Sequence, residues 1–228
     1  MVPRSATASL AALNGVSRLS ELTRTPADQT VGRVLPVLDG LADLLPWGGL
    51  RRGSTVVVRG STTLLLALLA AATVNGSWAA VVGVPDLGLL AAAELGVVVH
   101  RLALVPQPGE QLLAVTGALL DGFDLVAVRQ AGELREADAR RLSARARNRG
   151  AVLVPFGQWP GADLELDCTG RWSGLGEGHG YLRQREVVVR SRGRGAAARG
   201  NQVRLVLPGQ DGIALPVPTQ AELRRVLP

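Results

Sequence analysis

The chain of 228 residues contains no lysine; all 25 of its basic side chains are arginine. No ammonium group is therefore available to grip the outer phosphates of a nucleotide or to form a Schiff base. A single cysteine, Cys168, rules out an internal disulfide framework and fits a reducing cytosol. With no histidine near it in a catalytic pattern, it reads as a lone buried thiol. Aromatic residues make up only 3%, so a core must be built from Val, Leu and Ala. The longest apolar run, Leu64 to Ala72, is too short to span a bilayer. The opening segment MVPRSATASLAALNG lacks a long apolar stretch followed by a cleavage site, so no secretory signal is predicted. His100 and His179 are isolated and without ligand spacing, which predicts no metal site.

What is present is a 47% apolar chain, enough for one core of ordinary size. Its charge is uneven. Residues 1–132 hold 9 Arg and 9 acids; residues 133–228 hold 16 Arg and 10 acids, so the net +6 lies wholly in the second segment. That asymmetry points either to a face for nucleic acid or an acidic partner, or to a solvated surface.

Residues 1–35 read as an N-terminal helical arm, with Leu10, Leu13, Leu19 and Leu22 near helical spacing. A structured loop with a short helix follows, punctuated by Pro36, Gly40 and Pro46. From Thr55 the pattern alternates. TVVVR, WAAVVGV, RLALV, FDLVAV and GAVLVPF read as strands. LLLALLAAATVN, LLAAAEL, GEQLLAVTGALLDG and ELREADARRLSARARN read as the helices between them. Almost wholly apolar strands separated by helices predict an α/β fold: a mostly parallel sheet with helices on both faces. ADLELDC, GYLRQREVVVRS and NQVRLVLPG then follow without helices, predicting an antiparallel extension over 163–210 with one wet face. The stretch 190–201, RSRGRGAAARGN, reads as a mobile hairpin loop. Residues 211–228 form a tail whose QAELRRVLP reads as a short helix.

The junction VVVRGSTTLLLALLAAA has the outline of a strand that feeds a helix through a phosphate-binding turn. A working turn of that kind needs glycines whose amides wrap the phosphates, a lysine, and a hydroxyl for magnesium. Here Gly60 ends the strand and Ser61, Thr62 and Thr63 open the helix directly. The spacer, the second glycine and the lysine are missing. The simple reading is that Ser61 or Thr62 caps the helix. FDLVAVRQ ends in Arg129, a cation where a magnesium ligand would stand, and GVPDLG offers Asp86, either as an acid beside such a site or as a cap.

In order and content these pieces resemble the RecA core. GGLRRGSTVVVRG is similar to the approach to its first strand and phosphate loop. WAAVVGVPD is similar to the strand ending in the catalytic acid. LGVVVHRLALVPQPGEQLLAVTGALLDGFDLVAV is similar to the run through the magnesium-ligand strand, with QPGEQLL, residues 107–113, the most specific piece. The resemblance covers about residues 45–210. It implies that Arg129 replaces the magnesium-ligand acid, that Asp86 falls at or beside the catalytic acid, and that the phosphate-binding lysine has no counterpart. The DNA-binding loop would be the short GQWPGA, residues 157–162.

A RecA-like body without its ATPase resembles the ImuA-type proteins, particularly their actinobacterial form. That resemblance implies a non-enzymatic role in a damage-induced mutasome, without cofactor or membrane. The partners it implies are an inactive Y-family polymerase homologue of the ImuB type and, through it, an error-prone C-family polymerase. It also implies a cytoplasmic, nucleoid-associated location. The alternative is a RecA-superfamily regulator such as a SulA-like cell-division inhibitor. On either reading the RecA-like core spans 36–210. The expected contact residues for single-stranded DNA or a partner are Arg183, Arg185, Arg190, Arg192, Arg194 and Arg199, with Arg204 nearby, and Trp159. Trp159 and Trp172 lie in Gly/Pro-rich loops, where tryptophan serves either as a partner anchor or as partial core.

Overall fold

The computed structural model describes residues 33–130, 132–176, 179–195, 198–209 and 215–216; the side chains of 173–184 and 215–216 are outside that description. The chain divides into two units, Met1–Val34 and Leu35–Pro228, and the fold below is that of the second. The predicted arm over 1–32 and the predicted final helix lie outside the described residues.

Nine strands carry the architecture: β1 (Val56–Arg59), β2 (Ala79–Val82), β3 (Leu102–Val105), β4 (Leu125–Val128), β5 (Val152–Pro155), β6 (Leu164–Gly176), β7 (His179–Gly193), β8 (Gln202–Val206) and β9 (Leu215–Pro216). After a single helical turn at Asp39–Ala42, the helices that pack on the sheet are α1 (Thr62–Val74), α2 (Leu89–Glu94), α3 (Leu112–Leu119) and α4 (Glu136–Arg149). β3, β2, β4 and β5 lie side by side in that order, all parallel. β1 pairs parallel with β6, which continues antiparallel through β7, β8 and β9. Two isolated parallel bridges, Thr55–Leu153 and Val58–Phe156, join β1 to β5. Across both sheets the order is therefore 3-2-4-5-1-6-7-8-9. This is the mixed α/β fold the sequence predicts, a parallel sheet with antiparallel strands added at one edge.

The packing follows from the alternation of side chains along each strand. Val56 and Val58 of β1 point into one cluster with α1 and α2; Val57 points into a second with Leu142 and Ala146 of α4. β2, β4 and β5 are buried at every position, which explains why they contain no polar residue. α1 is buried almost all round, Leu64 to Ala70 without a break, as its unrelieved Leu/Ala composition demands. α4 buries only Ala139, Leu142 and Ala146, one stripe at helical spacing, and turns its arginines to water. Among the described residues no helix is long and apolar enough to cross a membrane.

Three boundaries differ from the sequence reading. The segment Gly109–Gln111 forms a separate 3-10 turn before α3, with the Gln111 amide donating to the Pro108 carbonyl. The hairpin loop read over 190–201 is shorter, because β7 runs on to Gly193. The extension has a physical cause: Arg190 lies opposite Asp167 and Arg192 opposite Glu165, and opposed charges support cross-strand pairing. Residues 215–216, read as tail, pair with Leu205 and Val206.

Candidate functional site

The carboxyl ends of β1, β2 and β4 lie on one edge of the parallel strands, and α1 starts at the end of β1, the junction that resembles a phosphate turn. α1 begins immediately after β1. Ser61 is the N-cap: its backbone is extended and its Oγ accepts from the Leu64 amide at 3.1 Å. Gly60 has φ +79, and a Cβ placed there would stand 2.3 Å from the Cys168 carbonyl oxygen of β6. Only glycine fits so close to a neighbouring backbone in that conformation. The turn is thus clamped against the adjacent strand.

Arg185 of β7 completes the clamp. Its Nη1 donates to Ser61 Oγ at 3.3 Å, and its guanidinium carbon lies 5.8 Å from the Trp172 ring centre. This corrects the expectation that Arg185 belongs to an outward contact surface. The reason is parity: Val187 and Val189, two and four residues on, are buried in the same strand, so Arg185 shares their inward face. That alternation was readable in REVVV, and it was the signal the sequence reading passed over. Cys168 is buried and free, and burial pushes its thiol pKa up, against smaller lowering effects from the Ser61 hydrogen bond and the Arg185 charge. A thiol held protonated in this way is a poor nucleophile.

The neighbouring strand ends are equally closed. Gly83 follows β2 with φ +75, and a Cβ there would be 2.3 Å from the Arg129 carbonyl oxygen. Arg129 itself is exposed and stacks its guanidinium 5.4 Å from the Phe156 ring centre. Arg59, the last residue of β1, pairs with Glu165 at 3.1 Å, and its Nε donates to the Gly157 carbonyl at 3.3 Å. Thr62 and Thr63 are half-buried and border a cavity of about 310 Å³ that also receives Asp86. Among the described residues no group of three His, Cys, Asp or Glu side chains is placed to hold a metal.

The predicted contact arginines do not form one patch. Arg185 faces inward. Arg190 and Arg192 lie on the uncovered face of the antiparallel strands, opposite Asp167 and Glu165, and Arg190 Nε donates to Gln202 Oε1 at 2.8 Å. Arg204, also exposed, shares that face, opposite Val188. Arg194 and Arg199 are exposed near the β7–β8 connection. The side chains of Arg183 and His179 lie outside the described residues. For Trp159 the structure takes the core alternative over the partner anchor: it is 4% exposed, packs in the second core cluster, and its Nε1 donates to Ser143 Oγ of α4 at 3.3 Å. Trp172, in contrast, is 44% exposed. The arginines at the end of α4 also have a structural use that composition did not reveal. Arg145 and Arg149 both bind the Asp121 carboxylate, which holds its pKa down to about 2.

Residues 43–161, which include β1 to β5 and α1 to α4, match the family model described as the MT3502 N-terminal domain. The chain belongs to that family. The MT3502 match ends before β6, so the long hairpin that carries Cys168, Trp172 and Arg185 lies beyond it. A protein of Mycobacterium tuberculosis (strain ATCC 25618 / H37Rv), described as uncharacterized protein Rv3395c, is 43% identical over 128 residues. That alignment takes in 54% of this chain and 63% of the relative, so the chain spans less than two thirds of the relative's length.

Proposed function

We propose that this MT3502-family chain is a RecA-like, non-catalytic adaptor in DNA-damage-induced translesion synthesis. It would act by binding an inactive Y-family polymerase homologue, and through it an error-prone C-family polymerase, at the nucleoid. The observation that carries the reading is the junction of β1 and α1. A sheet strand runs straight into a buried helix at the point where a RecA-like ATPase would wrap phosphates. There Gly60 is pressed against the Cys168 carbonyl, and Ser61 Oγ is engaged by Leu64 and Arg185. Phosphoryl transfer depends on positioning and charge neutralisation, and this junction offers neither a wrapping loop nor a lysine. The central place of β1, with the ends of β2 and β4 at the same edge, supports the RecA-like body.

The reading places protein contact ahead of DNA contact. Of the expected contact arginines, Arg185 is turned inward, Arg190 and Arg192 have acids opposite them in the sheet, and the exposed Arg194, Arg199 and Arg204 form no single patch for phosphates. The test is affinity capture of the chain from DNA-damaged cells of its own species, with the co-purifying proteins identified. Recovery of a Y-family polymerase homologue is the expected outcome. Recovery of a division protein in its place would transfer the fold to the SulA-like reading, and magnesium-dependent ATP binding with a Kd on the order of 1 μM would end the non-catalytic one.

A further inference from the structure

The cavity beside the junction differs from its surroundings in both shape and charge. Leu66 of α1, Ala91 of α2, Trp172 of β6 and Pro208 give it an apolar lining, and the two ionisable groups on it, Asp86 and Glu94, are both acids. Neither acid forms a salt bridge with a described residue, and both are exposed. The adjoining residues of α2 add to the apolar surface. Leu89 is 49% and Leu90 75% exposed, and with Trp172 they make three of the seven large apolar side chains left exposed among the described residues. Of these only Trp172 stands on the cavity wall, beside Leu66, Ala91 and Pro208, and an apolar concavity carrying an exposed ring marks a contact site more than single exposed leucines do.

The chemistry of the lining selects the occupant. An anionic ligand would meet Asp86 and Glu94. A wholly apolar one would strip water from both carboxylates and give them nothing in return. A segment with one or two large apolar anchors next to Lys or Arg satisfies both the lining and the acids. We infer that this cleft docks such a basic-apolar segment of a partner protein. The inference rests on the adaptor reading and gives it a site: the place where a nucleotide would lie in a RecA-like ATPase serves as the docking groove.

The experiment uses the purified full chain and, as probe, the Y-family polymerase homologue of the same organism, with binding measured at low and high salt. Asp86→Arg combined with Glu94→Arg, and separately Trp172→Ala, are each expected to weaken binding about tenfold or more, and wild-type binding is expected to fall as salt rises. Arg140→Glu combined with Arg141→Glu, on the exposed face of α4, is expected to leave binding unchanged. All of these side chains are exposed, and circular dichroism melting checks that each variant is folded; Trp172→Ala keeps the test alive should the double reversal unfold. Undiminished binding by both cleft variants would overturn the cleft while leaving the adaptor reading in place. No binding by the wild-type chain would overturn the adaptor reading and the cleft with it. Self-association of the wild-type chain in sedimentation, lost in the charge-reversed variant, would make the occupant a second copy and overturn the partner assignment. Displacement of the probe by ATP would make the cleft a nucleotide site and overturn both readings.

Discussion

Gly60→Ala tests the clamp on which the functional reading rests. A methyl group at Gly60 would lie 2.3 Å from the Cys168 carbonyl oxygen, whereas carbon–oxygen contacts become comfortable only at about 3.3 Å. The strands must therefore part by roughly 1 Å, beside the Arg59–Asp167 pair of the β1–β6 ladder. The obstructing atom belongs to backbone in mid-strand, so no side chain can swing away to make room. The left-handed backbone adds roughly 1–2 kcal/mol for any residue with a Cβ. Weakening one or two ladder hydrogen bonds adds about 1 kcal/mol each. The expected loss is about 2–4 kcal/mol, a large part of the roughly 5–15 kcal/mol that holds a domain folded. Gly76→Ala is the control. Its φ is +93, but nothing lies within 4 Å of the new Cβ, so it is expected to cost only the backbone share, about 1–2 kcal/mol. Urea unfolding followed by tryptophan fluorescence reads both as shifts in midpoint at constant slope. If Gly60→Ala costs no more than Gly76→Ala, β6 does not press on the junction, room for a phosphate turn exists, and the argument against a nucleotide falls.

Trp159→Ala is expected to destabilise the chain by about 3–5 kcal/mol, as loss of a buried indole in the second core should; a loss under about 1 kcal/mol in the same urea assay would return Trp159 to the surface. Ser61→Ala removes the cap of α1 and the acceptor for Arg185, and is expected to cost about 1–2 kcal/mol. Asp121 is held at about 2 from an ordinary 3.8, so the unfolded chain binds its proton first. Its contribution is therefore full above pH 3.8 and is lost as pH falls toward 2; Asp121→Asn should flatten acid unfolding across that window, and an unchanged acid limb would refute the Arg145 and Arg149 grip.

The alternation of strand and helix was legible because each parallel strand is buried on both faces and each helix is bounded by a polar turn. TVVVR, WAAVVGV, RLALV, FDLVAV and GAVLVPF contain the five observed strands with only end residues trimmed. Less legible was anything decided by a residue distant in sequence. Trp159 stands in a Gly/Pro-rich loop, which suggested exposure, but α4 covers it and Ser143 accepts its N–H. RSRGRG has the composition of a loop, yet Asp163, Glu165 and Asp167 draw it into a ladder: Arg190 and Arg192 face two of those acids, and the Arg194 amide donates to the Asp163 carbonyl. The site followed the same division. The missing lysine and spacer were plain in the sequence; the inward turn of Arg185, 124 residues from its partner Ser61, required pairing of β6 with β7.

The closure of the junction also bears on why a cleft persists there. In a sheet ordered 3-2-4-5-1-6, the connections leaving β1 and β2 go to α1 and α2, which pack on the same face. Their amino ends consequently open side by side at the carboxyl edge, and a concavity between them is a property of the connectivity, whatever lines it. Shortening the β1–α1 turn removes the wrapped amides but leaves that concavity in place. What fills its wall then decides its chemistry. Here a hairpin beyond the MT3502 match supplies Trp172 over an apolar lining, and α2 and its approach supply Asp86 and Glu94. A phosphate would find acids and no lysine; a cationic, apolar segment would find complementary charge and an exposed ring. The same topology that favours a ligand site in an α/β sheet thus leaves here a concavity with an apolar lining and two exposed acids.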